Sequence, residues 1–126
     1  MKFSKSERGA AAVEFALVVP MLMAIVFGII VCGQAFTMQI AVTQAGRAAV
    51  RSMAVSELTD SAAAKSAAIA LANSNKVGGA TFSYSFSQDL CQPKTAMTVT
   101  VTTTVNGIGL LPDFNLSGIG SMQCGG

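Results

Sequence analysis

From Ala10 to Gly33 the chain is almost wholly apolar, interrupted only by Glu14, and no charged side chain occurs between Phe15 and Gly46. A helix rising ~1.5 Å per residue covers about 34 Å from Ala10 to Cys32, against a hydrocarbon core of about 30 Å. The pattern therefore predicts a transmembrane helix with some tilt. Pro20 removes one backbone hydrogen bond and predicts a kink or local unwinding, while Gly28 and Gly33 leave notches on the helix surface.

Polar positions return beyond Gly33 at helical spacing. At ~100° per residue, Thr37, Gln44, Arg47 and Arg51 gather on one face, with Met38, Ala41, Val42, Ala45 and Ala49 opposite. The helix is thus predicted to continue to about residue 55. Its small-residue face suits close contact with the chain's own head or with a neighbouring subunit. Ser56 to Asp60 supplies capping residues for a second, shorter helix over Ser61 to Asn73, which the turn-forming residues from Asn73 to Gly79 end.

Beyond Gly79 the period becomes two. Phe82, Tyr84 and Phe86 alternate with serines, and Met97, Val99, Val101 and Val105 alternate with threonines, which predicts two half-buried strands. Gln88 to Thr95 is long for a tight hairpin and reads as a loop. After Asn106-Gly107 the pattern is Gly-rich, with Phe114 to Met122 as a third, edge strand. The expected fold class is α+β: a long amino-terminal transmembrane helix, its amphipathic continuation, a short second helix and a small antiparallel sheet. The boundaries are 1–9 for a polar head segment, 10–33 for the membrane helix, 34–55 for its continuation and 56–126 for a small α+β head.

Composition agrees with membrane insertion: 52% hydrophobic and 11% charged, against about 25% charged in an average soluble domain. The net charge of +2 lies wholly in the first nine residues, where Lys2, Lys5 and Arg8 oppose Glu7. That excess predicts a cytoplasmic amino terminus and a carboxyl-terminal part on the outer side. From Ala10 onward the charges cancel, so no basic surface is available for nucleic acid.

Cys32 lies in the membrane run. Cys91 and Cys124 share the exported side, where an oxidising compartment lets such a pair close. Closure would constrain the unfolded chain by about 3 to 4 kcal/mol; the alternative is two unpaired thiols in a flexible tail.

Glu14 makes the apolar run more than an anchor. An ionised carboxylate at the centre of a membrane helix costs ~2.5 to 3.5 kcal/mol, so it needs a partner or an escape to the interface. Snorkelling toward the cytoplasmic headgroups is one solution. Cleavage after Gly9 is another, because it places a free amino group one helical turn from the acid.

The basic leader ending in Gly9, with Glu14 fifth in the chain that follows, resembles the class III prepilin signal. More closely, RGAAAVEFALVVP resembles the start of TadE-like pseudopilins of the Tad, or Flp, tight-adherence pilus system. An Ala10 start favours that lineage over type IVa pilins and type II secretion pseudopilins, which usually begin with Phe or Met. Gln44 to Arg51 is similar to the Ala-rich, paired-Arg stretch of the same proteins. The resemblance implies that a prepilin peptidase cuts between Gly9 and Ala10. It also implies that Glu14, followed by Phe15, serves assembly by pairing with the amino terminus of an adjacent subunit. Expected partners are other pilins and pseudopilins, an inner-membrane assembly platform and membrane lipid.

Two rivals differ in class: an uncleaved single-pass protein anchoring a small periplasmic interaction domain, and a type II secretion or type IVa pseudopilin. A cleaved secretory signal has a shorter apolar core, and Ile30-Val31 before Cys32 does not suit lipidation. The chain has no histidine and no metal-ligand spacing, P-loop or dinucleotide fingerprint. No catalytic residue, cofactor or metal is expected; Glu57, Asp60, Asp89 and Asp113 read as caps and turn residues.

Overall fold

The computed structural model describes residues 5–106 and 112–125. The start of the expected leader, residues 1–4, and residues 107–111 of the Gly-rich stretch lie outside the described residues. The elements are α1 (Lys5–Val55), α2 (Ser61–Asn73), β1 (Phe82–Phe86), β2 (Ala96–Val105) and β3 (Phe114–Gln123). The architecture is α+β. The chain divides into two compact units, Met1–Gln34 and Ala35–Gly126, and α1 runs through both.

In the first unit α1 starts at Lys5, not at Ala10 as the polar character of the leader suggested. Extending an existing helix by a turn requires only propagation, which is far cheaper than nucleation. Nor does Pro20 unwind the helix, which is continuous across it. One missing hydrogen bond is carried by the turns on either side. Large apolar side chains of this unit are exposed along its length, among them Val13, Phe15, Leu17, Met21, Leu22 and Ile29. The helix is long and apolar enough to cross a membrane once, and such a surface suits lipid or other apolar helices rather than water.

In the second unit an antiparallel sheet of order β1-β2-β3 carries both helices on one face. The register pairs Tyr84 with Val101 and Val101 with Gly118. Inward go Phe82, Met97, Val99 and Val101; outward go the serines of β1 and the even-numbered threonines of β2. Thr98 Oγ1 donates to Ser121 Oγ at 3.2 Å and Thr104 Oγ1 to Asn115 Oδ1 at 2.8 Å, cross-strand pairs that tie the outer face together.

Both helices meet the sheet through small residues. Ala41, Ala45 and Ala49 of α1 and Ala64, Ala68 and Ala72 of α2 are buried in one core with Val42, Met53, Met97 and Val99. The small-residue face of α1, open on sequence grounds to either use, thus covers the protein's own sheet between Ala41 and Met53. Thr103 is buried and polar, and its hydroxyl donates to the Thr81 carbonyl at 2.8 Å. Asp60 caps α2, its Oδ1 accepting from the Ala62 amide at 3.1 Å. Gly78 takes the left-handed conformation, φ 63°, in the turn that follows.

A close approach between β3 and α1 was not expected from the sequence. A Cβ on Gly118 would lie 2.8 Å from the backbone of Thr43, and one on Gly120 would overlap the Gly46 carbonyl. Strand β3 and helix α1 therefore touch backbone to backbone. Gln39 Nε2 adds a 2.9 Å hydrogen bond to the Ser117 carbonyl.

Candidate processing and assembly site

Gly9, Ala10, Glu14 and Phe15 all lie in the opening turns of α1 and are exposed. Residues i and i+4 of a helix share one face, ~5 to 6 Å apart at Cβ, so Ala10 and Glu14 stand one above the other. Phe15 is 71% exposed and presents an aromatic surface beside the acid. Nothing lies within 4 Å of the position that a Gly9 side chain would occupy. The Gly9–Ala10 bond is open to another molecule, although here it is helical. Gly9 lowers the cost of local unwinding, being about 1 kcal/mol less favourable in a helix than Ala.

In the second unit Cys91 and Cys124 form a disulfide with Cα atoms 5.5 Å apart. The Cys124 amide donates to the Thr95 carbonyl at 2.9 Å, and the Lys94 amide donates to the Cys124 carbonyl at 3.3 Å. The bond thus fastens the β1–β2 loop to the end of β3. Cys124 is buried whereas Cys32, in α1, is an exposed free thiol.

Two acids of the second unit, Asp60 and Asp89, have defined partners. Asp60 is a helix cap, as the sequence suggested. Asp89 instead forms an ion pair with Lys65, whose ammonium also lies 5.8 Å from the centre of the Phe86 ring. The Lys65 hydrogen bond and charge hold the Asp89 carboxyl below its ordinary value. Tyr84 donates to Asn73 Oδ1 at 2.8 Å, and burial pushes its phenol above the ordinary value. Arg47 and Arg51 are exposed. Among the described residues no group of three or more His, Cys, Asp or Glu side chains is placed to hold a metal ion.

Sequence reasoning missed Gly118 and Gly120. Their alternation within an otherwise two-period segment was the available signal, since glycine inside a strand marks a close backbone approach.

Residues 9–51 match the family model described as TadE-like protein. The match opens at the glycine before the expected cleavage point, covers the whole apolar run and closes at Arg51. This stretch, about a third of the chain, is similar to TadE-like proteins. No curated protein and no solved structure is similar enough to add to that match.

Proposed function

We propose that this chain, TadE-like over residues 9–51, is a minor pilin or pseudopilin that a prepilin peptidase processes between Gly9 and Ala10 for assembly of a Tad pilus used in surface adherence. It is a substrate of an enzyme rather than an enzyme. The single observation that carries this reading is the coincidence of the family match with Gly9, Ala10 and Glu14 in adjacent turns of one exposed apolar helix. The chain spans the inner membrane once, with a cytoplasmic amino terminus and a periplasmic head, as the positive charge of the leader favours.

Cleavage replaces a peptide nitrogen with the ammonium of Ala10, one helical turn from Glu14. Within one chain the two charges offset each other at the cytoplasmic interface. When the processed helix leaves lipid for a bundle of apolar helices, the Glu14 carboxylate loses water and needs a cation. The Ala10 ammonium of an adjacent pilin or pseudopilin supplies it, because a buried charge persists only when paired. The apolar remainder of the helix then packs against its neighbours as it packed against lipid, on the inner-membrane assembly platform.

Substitution of Glu14 tests the reading. Glu14→Leu and Glu14→Ala should leave membrane insertion and protein level intact while pili are lost, and Glu14→Asp should restore them in part. Normal piliation with Glu14→Leu overturns the assembly role.

A further inference from the structure

Away from the amino-terminal turns, the second unit carries a shallow groove between the last turns of α1 and the end of α2. Ala48, Val55 and Leu71 give it an apolar floor, with Ser74 on one side and Arg51 at its rim. Val55 is 70% exposed and Leu71 58% exposed, although both are large apolar side chains next to a well-packed core. Arg47 stands one turn before Arg51 on the same face. Among the described residues neither guanidinium has an ion-pair or hydrogen-bond partner.

The complement to this surface is present in the same chain. The loop leaving Val55 reads Ser56-Glu57-Leu58-Thr59-Asp60, with Leu58 47% exposed and Glu57 exposed and unpartnered. An apolar side chain next to an acid matches an apolar groove with Arg51 at its rim and Arg47 one helical turn before it. The loop begins where the α1 wall of the groove ends. Neighbouring copies standing side by side therefore present loop and groove at one level.

We propose that this groove is a self-association site: Leu58 of a second copy enters it between Val55 and Leu71, and Glu57 of that copy pairs with Arg51 and Arg47. Burial of Leu58 supplies the attraction, and the charges fix register and exclude other loops. Because the loop of one copy fills the groove of the next, the contact can repeat along a row of subunits. It is independent of cleavage after Gly9.

The test places a photoreactive benzoylphenylalanine at Leu71 of the full chain in host membranes, with light- and heavy-isotope copies mixed. The expected product is a doubled-mass adduct whose crosslinked peptide contains Glu57 and Leu58 of the other copy. It should be lost with Arg47→Glu plus Arg51→Glu and regained when Glu57→Arg is added. All three positions are exposed, and an intact Cys91–Cys124 bond in each variant verifies folding. Absence of a doubled-mass product, an adduct to lipid or to a different protein in its place, a dimer insensitive to the arginine changes, or failure of Glu57→Arg to restore it would overturn the proposal.

Discussion

Gly46 of α1 and Gly120 of β3 meet backbone to backbone, so closely that a methyl group on Gly120 would overlap the Gly46 carbonyl. The strand joins the core through this contact. Val99 pairs with Gly120 and Val101 with Gly118, and the absence of side chains at both glycines lets β2 and β3 reach the helix together. Gly120→Ala should therefore destabilise the second unit by about 1 to 3 kcal/mol, the usual range for overpacking, and Gly118→Ala should behave alike. Gly46→Ala is expected to be much milder. Its Cβ would stand 3.2 Å from the Gly120 amide nitrogen, and alanine gains about 1 kcal/mol of helix propensity over glycine. Gly79→Ala, where nothing lies within 4 Å, is the neutral control. Chemical denaturation of the full chain in detergent, followed by the Tyr84 signal, reads all four.

The disulfide closes a sequence separation of 33 residues, and in the loop-entropy model its removal costs about 3 to 4 kcal/mol. The core it supports is small, so Cys91→Ser with Cys124→Ser should lower the unfolding midpoint sharply and expose the β3 end to protease. Cys32→Ser should leave both unchanged. Limited proteolysis of the three forms side by side distinguishes these outcomes.

Acid should weaken one surface tie. Lys65 holds the Asp89 carboxyl below its ordinary value, so the folded state binds fewer protons there than the unfolded chain. The contribution is complete above the unfolded carboxylate value of ~3.9 and disappears as pH falls through the lowered folded value. The gap in stability between the native chain and Asp89→Asn is expected to be small at pH 7, to shrink as pH is brought to about 2, and to shrink also at high salt, since the pair is exposed to solvent. Urea titrations at the two pH values measure it.

Tyr84 acts in the opposite direction. Burial raises its pKa, so the stability tied to the neutral phenol is whole below its ordinary value of ~10 and is lost as pH rises through the folded value. Tyr84→Phe should remove that alkaline loss and, with it, the hydrogen bond to Asn73, costing about 0.5 to 1.5 kcal/mol at neutral pH.

Elements whose side chains obey a simple period were legible in the sequence. The alternation of Phe82, Tyr84 and Phe86 with serines located β1, the threonine alternation located β2, and the Ala41, Ala45 and Ala49 spacing located the buried face of α1. Cys91 and Cys124 could be paired because only these two cysteines share the expected head. What periodicity could not convey was contact made by missing side chains. Gly118 and Gly120 leave no apolar mark, so the strand they belong to read as weakly specified although its glycines let it touch the helix. The start of α1 at Lys5 was hidden for another reason: charge signals solvent, and a helix extended from a long neighbour can form in solvent. Pro20 predicted a kink or local unwinding, and the flanking turns keep the helix continuous across it. Asp89 read as a turn acid because its partner, Lys65, lies on another element.

Edman sequencing and intact mass of the chain recovered from membranes of its host, with and without an active prepilin peptidase, test the functional reading most directly. Processing predicts a chain that begins at Ala10 when the peptidase is active and at Met1 when it is not. A chain that keeps Met1 to Gly9 in the presence of the active enzyme would contradict it and leave a single-pass anchor for the small α+β unit.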